Sequence, residues 1–164
     1  MKRILAGLSL AGYIAVIIAA NWMTSVFGLV SFLGLTVTAG TFAAGLALIM
    51  RDAVQVTLGK RVAILAIVAG AALSYFVSGP ALALASGLAF LVSELVDLAV
   101  FTPMKSKTLS GAVLLSSIVS APVDTVLFLW LAGFPITWQA VLGQFIVKTA
   151  IALLVALGIK ARRQ

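Results

Sequence analysis

Four ionisable side chains lie inside otherwise apolar stretches of the sequence: Glu94, Asp97, Asp124 and Lys148. A charge at the centre of a bilayer costs about 2.5–3.5 kcal/mol even on the lenient insertion scale. Four such groups facing lipid would be hard to tolerate, so we expect them to face one another or a hydrated cavity. Three acids against one base would make that site anionic, which suits protons or a cationic, donor-rich ligand.

Helical spacing supports one shared site built by three helices, because residues three or four positions apart lie on the same helix face. The sets with this spacing are Glu94 with Asp97, Ser117 and Ser120 with Asp124, and Gln144 with Lys148. The alternative is structural: Lys148 pairs with Asp124 or Asp97 and ties the helices together. That alternative leaves two carboxylates without a partner.

The residue types at this site also limit the ligand. A carboxylate accepts two parallel N–H bonds well, and a guanine-like edge offers such a pair, while a lysine or an amide could donate to the adjacent carbonyl. Four aromatic residues near the polar positions could stack on a flat ring, although packing is the more common role for each: Phe90, Phe101, Phe128 and Phe145. The residues alone therefore predict a polar, donor-rich small molecule and no particular base.

The composition excludes a soluble globular domain. Apolar residues make up 63% of the 164 positions and charged residues only 9%, against roughly 25% charge in soluble domains. With no His and no Cys, the chain has no imidazole base, thiol nucleophile or ordinary zinc site. It also has no GxxxxGK[ST] loop for ATP and no Gly-x-Gly-Asp motif of an intramembrane aspartyl hydrolase. We expect an integral membrane protein that is not an enzyme and needs no cofactor or metal.

The hydrophobic runs predict an all-α bundle of six transmembrane helices in one domain, since a crossing needs about 20 apolar residues. The segment 22–33 is predicted to form a hairpin or partial helix at the outer surface. The six predicted spans are residues 4–20, 34–50, 62–77, 81–101, 109–131 and 137–159.

The basic residues predict the orientation. Cytoplasmic loops are enriched in Lys and Arg, and aromatic residues gather at the interfaces. With both termini cytoplasmic, every basic residue except Lys148 falls on the inner side, and Trp22, Trp130 and Trp138 lie near the outer interface. The inner set is Lys2, Arg3, Arg51, Lys60, Arg61, Lys105, Lys107, Lys160, Arg162 and Arg163. The net charge of +7 is therefore interpreted as a topology signal, and no nucleic-acid partner is expected.

Two further features each have a structural and a functional interpretation. Asp52 follows Arg51 at the predicted cytoplasmic end of the second span, with Gln55 three residues on. We interpret Asp52 as a helix cap or an ion pair with Arg51, and Asp52 and Gln55 as structural or gating residues.

Small residues recur every four positions on the first helix, which allows close helix packing within the protein or with a partner. They are Ala11, Ala15 and Ala19.

Taken in order along the chain, these residues resemble the VUT family, the vitamin-uptake group that includes bacterial queuosine-precursor transporters. The resemblance depends chiefly on the ordered set Asp52, Asp97, Asp124 and Lys148. Around it stand Asn21, Ala39-Gly40-Thr41-Phe42, Arg51-Asp52-Ala53-Val54-Gln55 with Gly59, Ser93-Glu94-Leu95-Val96-Asp97 with Phe101, Ser116-Ser117, Val123-Asp124-Thr125 with Phe128, and Phe145 to Lys148. Some family members carry Gln where this chain has Glu94, and many are longer.

The resemblance implies a transporter that imports 7-cyano-7-deazaguanine or 7-aminomethyl-7-deazaguanine across the inner membrane of a prokaryote. It also implies a fold like the substrate-binding S-components of energy-coupling-factor vitamin transporters. On this hypothesis Glu94 and Asp97 hold the donor edge of the purine-like ligand. Lys148 and Gln144 bind its acceptors, and Asp124 positions Lys148.

Asn21 and segment 22–33 would then form an outer gate. The chain would act as a facilitator, couple to an ion gradient, or dock on separate energising proteins. The alternatives are a substrate-binding subunit of a multi-component vitamin importer, a transporter of another vitamin-like solute, and a purely structural membrane protein.

Overall fold

The computed structural model describes residues 2–161, with side chains from Ala6 onward; Met1 and the predicted inner-side residues Arg162 and Arg163 lie outside this range. Within it, six helices are long and apolar enough to cross a membrane. Their bounds are α1 Lys2–Phe27, α2 Thr41–Leu58, α3 Lys60–Ser78, α4 Pro80–Met104, α5 Leu109–Leu131 and α6 Trp138–Ala161. The predicted all-α membrane protein with six spans is confirmed.

The first helix is longer than the predicted span 4–20. Asn21, which was expected to end that span, lies inside α1 because its amide finds partners within the protein. The Asn21 Nδ2 atom lies 3.1 Å from the Ile17 carbonyl, 3.1 Å from Ser74 Oγ and 3.0 Å from Ser86 Oγ. A polar residue that is satisfied in this way does not have to leave the helix.

A β-hairpin follows α1, and it replaces the expected start of the second span. Strand β1 (Leu29–Phe32) pairs antiparallel with β2 (Leu35–Thr38). Positive φ angles of 52° at Leu33 and 78° at Gly34 form the two-residue turn, as tight hairpins require. The prediction placed a hairpin or partial helix at 22–33 and a helix from 34, because hydropathy alone does not separate apolar strands from a helix.

The second helix therefore begins at Thr41 and not at residue 34, and it continues to Leu58 beyond the predicted end at residue 50. Gly40 precedes it at a close approach to α1, where an added Cβ would overlap the Ala20 carbonyl oxygen and Thr24 Oγ1. As a consequence, Arg51 and Asp52 lie in the interior of α2. The prediction that these two residues lie at the end of the second span is wrong.

The helices pack so that their polar faces meet inside the bundle. Helix α4 packs along α5, and α5 along α6; α1 packs against α2 and α3, and α2 also contacts α6. Strand β2 lies on α6, where Gly143 leaves room for the Thr36 carbonyl. Tyr13, Ile17, Val54, Ile67 and Phe90 belong to the largest apolar cluster. Large apolar side chains also cover much of the outer surface, as expected for a protein solvated by lipid.

Candidate functional site

Lys148 on α6 and Asp124 on α5 form a buried ion pair. The Lys148 Nζ atom donates to Asp124 Oδ2 at 2.7 Å and to Thr125 Oγ1 at 2.8 Å. All three residues are buried. An ammonium group has three donors, so these contacts leave one N–H of Lys148 for another acceptor.

This ion pair forms one wall of a small cavity. The predicted site residues that line it are Asn21, Phe90, Asp124, Phe128, Gln144 and Lys148. The cavity has a volume of about 20 Å³, which is room for about one water molecule. Gln144 Nε2 is buried and has no hydrogen-bond partner within the described part of the chain, so an acceptor on a ligand would satisfy it. We name this cavity the Lys148 pocket.

Another part of the lining of the Lys148 pocket comes from α1, from the end of the hairpin and from the turn after it. Thr24, Thr38 and Gly40 line it on this side. The Gly40 N–H donates to Thr24 Oγ1 at 3.1 Å, and the hydroxyls of Thr38 and Thr41 lie 2.9 Å apart. The hairpin is therefore fastened to α1 and α2 by polar contacts directly beside the pocket.

A second polar cluster is centred on Arg51, whose side chain is fully buried. Its Nε atom lies 2.8 Å from Glu94 Oε1 and 2.7 Å from Glu94 Oε2. Its Nη1 atom lies 2.6 Å from Gln55 Oε1 and 3.1 Å from Asp52 Oδ1, and Nη2 contacts Asp97. We name Arg51, Asp52, Gln55, Glu94 and Asp97 the Arg51 cluster.

The Arg51 cluster is connected to neighbouring helices. The guanidinium carbon of Arg51 lies 5.8 Å from the ring centroid of Phe101, within the range of a cation–π contact. The Ser120 hydroxyl of α5 donates to Asp97 Oδ1 at 3.2 Å. The guanidinium thus holds α2 and α4 together, and α5 is attached through Asp97.

The structure divides the predicted site residues between these two places. Glu94, Asp97 and Phe101 surround Arg51 and do not line the Lys148 pocket. Phe145 is partly buried against the large apolar cluster and also does not line the pocket. The expectation that Lys148 is the single base among the intramembrane acids is wrong, because Arg51 is also buried there and pairs with Glu94 and Asp97. The expected ion pair of Asp52 with Arg51 is present at 3.1 Å.

Arg51 is the residue that the sequence interpretation missed as part of the interior. Its position directly after a long uncharged stretch made it resemble a span end. The signal that could have found it is local: Asp52 follows it, Gln55 comes one helical turn later, and Ala53, Val54 and Val56 continue the apolar pattern. A charged residue with polar neighbours on one helix face and apolar residues on both sides indicates an interior position.

Six long apolar helices around a buried polar cavity define an integral membrane protein. The sequence model of the family described as "Putative vitamin uptake transporter" matches residues 73–159, which is more than half of the chain. The chain belongs to this family, and this confirms the resemblance to the vitamin-uptake group. The matched region includes all of α4 and α5 and most of α6, and hence Glu94, Asp97, Asp124 and Lys148. No curated protein and no solved structure matches the chain.

Proposed function

We propose that the protein imports a queuosine precursor, 7-cyano-7-deazaguanine or its 7-aminomethyl relative, across the inner membrane of a prokaryote. The observation that carries this proposal is the Lys148 pocket. It brings a carboxylate, an ammonium group and an unpartnered amide N–H₂ next to the rings of Phe90 and Phe128. This set of groups matches a flat ligand with two donors beside an acceptor.

The proposed contacts follow from hydrogen-bond complementarity. The Asp124 carboxylate accepts the ring N1–H and the exocyclic amine of the deazaguanine, a bidentate arrangement that is stronger than a single neutral bond. The remaining N–H of Lys148 and the Gln144 amide donate to the adjacent carbonyl and, in 7-cyano-7-deazaguanine, to the nitrile nitrogen at C7. Asp124 takes the role first predicted for Glu94 and Asp97, because Arg51 holds those carboxylates.

The size of the pocket gives the proposal a conformational part. A cavity that holds about one water does not admit a purine-sized ligand, so the walls must separate before binding. The hairpin wall is the proposed gate, because it lines the pocket without being part of a membrane-spanning helix. To open, it must break the hydrogen bonds at Thr24, Thr38 and Gly40 and separate β2 from α6. The proposed gate therefore lies at residues 28–40, which overlap the second half of the segment 22–33 predicted from the sequence.

Binding to the purified full-length chain tests the proposed substrate. The ligands are 7-cyano-7-deazaguanine, its aminomethyl analogue, guanine and, as an unrelated vitamin, biotin. We expect both deazaguanines to bind and biotin to fail. We expect Asp124→Asn to abolish deazaguanine binding, and Thr57→Val, a conservative change away from the pocket, to retain it. Binding of biotin with failure of both deazaguanines would overturn the proposal.

A second candidate function is a substrate-binding subunit of a multi-component importer. The observation in its favour is the small-residue stripe on α1, where Ala11 and Ala15 are exposed and Ala19 is half-buried. Such a face permits close packing against a helix of an energising protein. Uptake by the isolated chain in vesicles would exclude an obligatory subunit, whereas copurification of ATPase subunits would favour one.

A further inference from the structure

The charges of the protein interior do not balance, and the imbalance is confined to one place. All four acidic residues of the chain are buried. The charge of Asp124 is balanced by Lys148 in the Lys148 pocket. The remaining three, Asp52, Glu94 and Asp97, share the single positive charge of Arg51. The Arg51 cluster therefore carries two surplus negative charges when every group is ionised, and such charges are costly in a medium of low dielectric constant.

Asp52 is the carboxylate of the cluster with the fewest hydrogen-bond and ion-pair partners. Its Oδ1 atom contacts Arg51 at 3.1 Å, but its Oδ2 atom is buried and has neither a hydrogen-bond partner nor an ion-pair partner among the described side chains. Only 3% of the residue is exposed. Glu94 and Asp97, in contrast, each face the guanidinium directly, and Asp97 also accepts a hydrogen bond from Ser120.

Asp52 also lines a cavity of about 260 Å³ between α2, α5 and α6, at the end of the bundle that the basic residues assign to the cytoplasm. The side chains from α5 and α6 that line this cavity are apolar: Leu109, Val113, Val155 and Ile159. Thr57, on α2, is its other polar lining residue, and its hydroxyl is bonded to the Ala53 carbonyl at 2.7 Å. The free carboxylate oxygen thus belongs to a residue that borders a cavity at this end of the bundle.

The other charged or titratable groups near Asp52 are few. From α4 they are Glu94 and Asp97, which share Arg51 with it, and from α1 it is Tyr13, a buried residue within electrostatic reach. On α6, Lys148 is engaged by Asp124. On α3, Lys60 and Arg61 are exposed at the start of the helix. None of these contacts neutralises the surplus charge of the cluster.

We propose that Asp52 is a proton-binding site that exchanges with the cytoplasmic side through this cavity and couples proton movement to transport. This proposal rests on the proposed transport function. A proton suits the geometry better than a multivalent metal, because the Arg51 guanidinium lies among the carboxylates and the described residues form no group of three or more metal-ligating side chains. Protonation removes one of the two surplus charges without requiring further ligands.

The two polar sites are close enough to influence each other. Ser93, next to Glu94 on α4, lies 3.5 Å from Asp124 Oδ1. On α5, Ser120 lies one turn before Asp124, and its hydroxyl donates to Asp97 Oδ1. A change in how Arg51 divides its contacts among the carboxylates therefore acts on α4 and α5, which both reach the Lys148 pocket. This gives the coupling a physical path through two packed helices.

Infrared difference spectroscopy of the full-length chain in phospholipid vesicles tests the site without any substrate. With only four acidic side chains in the protein, few carboxyl bands can overlap. We expect a protonated-carboxyl band in mildly acidic buffer that disappears as the buffer becomes alkaline. We expect that band to be lost in Asp52→Asn and retained in Thr57→Val, which changes the other polar lining residue of the cavity.

Three results would overturn the proton site: no titrating band in the wild type, an unchanged band in Asp52→Asn, or the same spectral change on replacing K⁺ by Na⁺ at constant pH. If Asp52→Asn fails to fold, dicyclohexylcarbodiimide labelling of the wild type replaces it. This reagent adds to a protonated carboxyl, and we expect mass spectrometry to locate the adduct at Asp52 in acidic buffer. An absence of this adduct would also overturn the site.

Uptake into vesicles separates the failure of this proposal from the failure of the proposed substrate. We expect a proton gradient to accelerate uptake of 7-cyano-7-deazaguanine by the wild type and by Thr57→Val, and this acceleration to be lost in Asp52→Asn. If the proton gradient does not change the rate of uptake by the wild type, the proposed coupling is overturned and the proposed substrate is retained. A titrating Asp52 band without deazaguanine binding would support the proton site and overturn the substrate.

Discussion

Lys148 and Asp124 form a charge pair whose role can be structural, ligand-binding or both. Removing one partner of a buried ion pair leaves an uncompensated charge, which is costly whatever the pair is for. Loss of function in a single variant therefore does not separate the roles. A neutral pair of substitutions does, because it removes the ligand-binding groups without leaving a buried charge.

We expect Lys148→Met and Asp124→Asn each to lower the free energy of unfolding by about 3–5 kcal/mol. The double variant should recover most of that loss, since no charge is left alone, but should still fail to bind deazaguanine. Thermal unfolding in detergent and ligand binding measure the two quantities on the same samples. Wild-type binding by the double variant would show that the pair only ties α5 to α6.

Gln144 offers a cleaner test of ligand contact. Its Nε2 atom is buried without a partner among the described residues, so Gln144→Leu breaks no hydrogen bond of this N–H₂ group in the unliganded protein. We expect unchanged or slightly higher thermal stability and a loss of about 1–3 kcal/mol in ligand binding, which raises Kd about 5- to 150-fold. Thr149→Val is the matched control, because Thr149 Oγ1 is also unpartnered but does not line the Lys148 pocket. Equal effects of the two variants on binding would contradict the assignment of Gln144.

At the residue scale, the sequence reveals those charges that interrupt an apolar run on both sides. Asp124 and Lys148 are of this kind, and the sequence was sufficient to place both of them inside the bundle. Arg51 was misplaced because its interior position depends on where α2 begins. Its contacts with Glu94 and Asp97 join helices that are far apart in sequence. Helical spacing orders side chains within one helix and does not assign ion pairs between helices.

The position of the hairpin in the sequence determines where α2 begins. Strand β2 ends at Thr38, and only Ala39 and Gly40 separate it from α2. Six spans could be predicted from hydropathy alone, because their apolar runs are long and separated by charges or by Gly and Pro. The run from Trp22 to Met50 has no charge, so hydropathy could not divide it between a helix end, a hairpin and a second helix.

Gly40 is the position at which the hairpin, α1 and α2 meet. A Cβ there would overlap the Ala20 carbonyl oxygen and Thr24 Oγ1, so Gly40→Ala must push the start of α2 away from α1. We expect a destabilisation of about 1–3 kcal/mol, as for other overpacked sites, together with weaker ligand binding because Gly40 lines the pocket. Thermal unfolding and ligand binding measure the two effects. Gly7→Ala is the control on α1, since an added Cβ at Gly7 has nothing within 4 Å; comparable losses in both variants would refute the role of this contact.

At the scale of the whole molecule, the orientation determines which way the proposed gate and the proposed proton route face. The hairpin tip at Leu33 and the connection between α4 and α5 must lie on opposite sides of the membrane if α2, α3 and α4 each cross it once. The basic residues predict that the hairpin is outside and that Lys105 and Lys107 are inside. Import through the hairpin and proton exchange on the cytoplasmic side both require this orientation.

The absence of cysteine from the chain makes the orientation directly measurable, because each single-cysteine variant carries one thiol. In intact cells, we expect a membrane-impermeant maleimide to label Leu33→Cys, since Leu33 is 84% exposed at the hairpin tip. The same reagent should label Ser106→Cys, at an exposed site between Lys105 and Lys107, only after the cells are permeabilised. The opposite labelling pattern would show that the orientation is the reverse of the predicted one, with the proposed gate on the cytoplasmic side. Labelling of both variants in intact cells would show that the predicted single orientation is wrong.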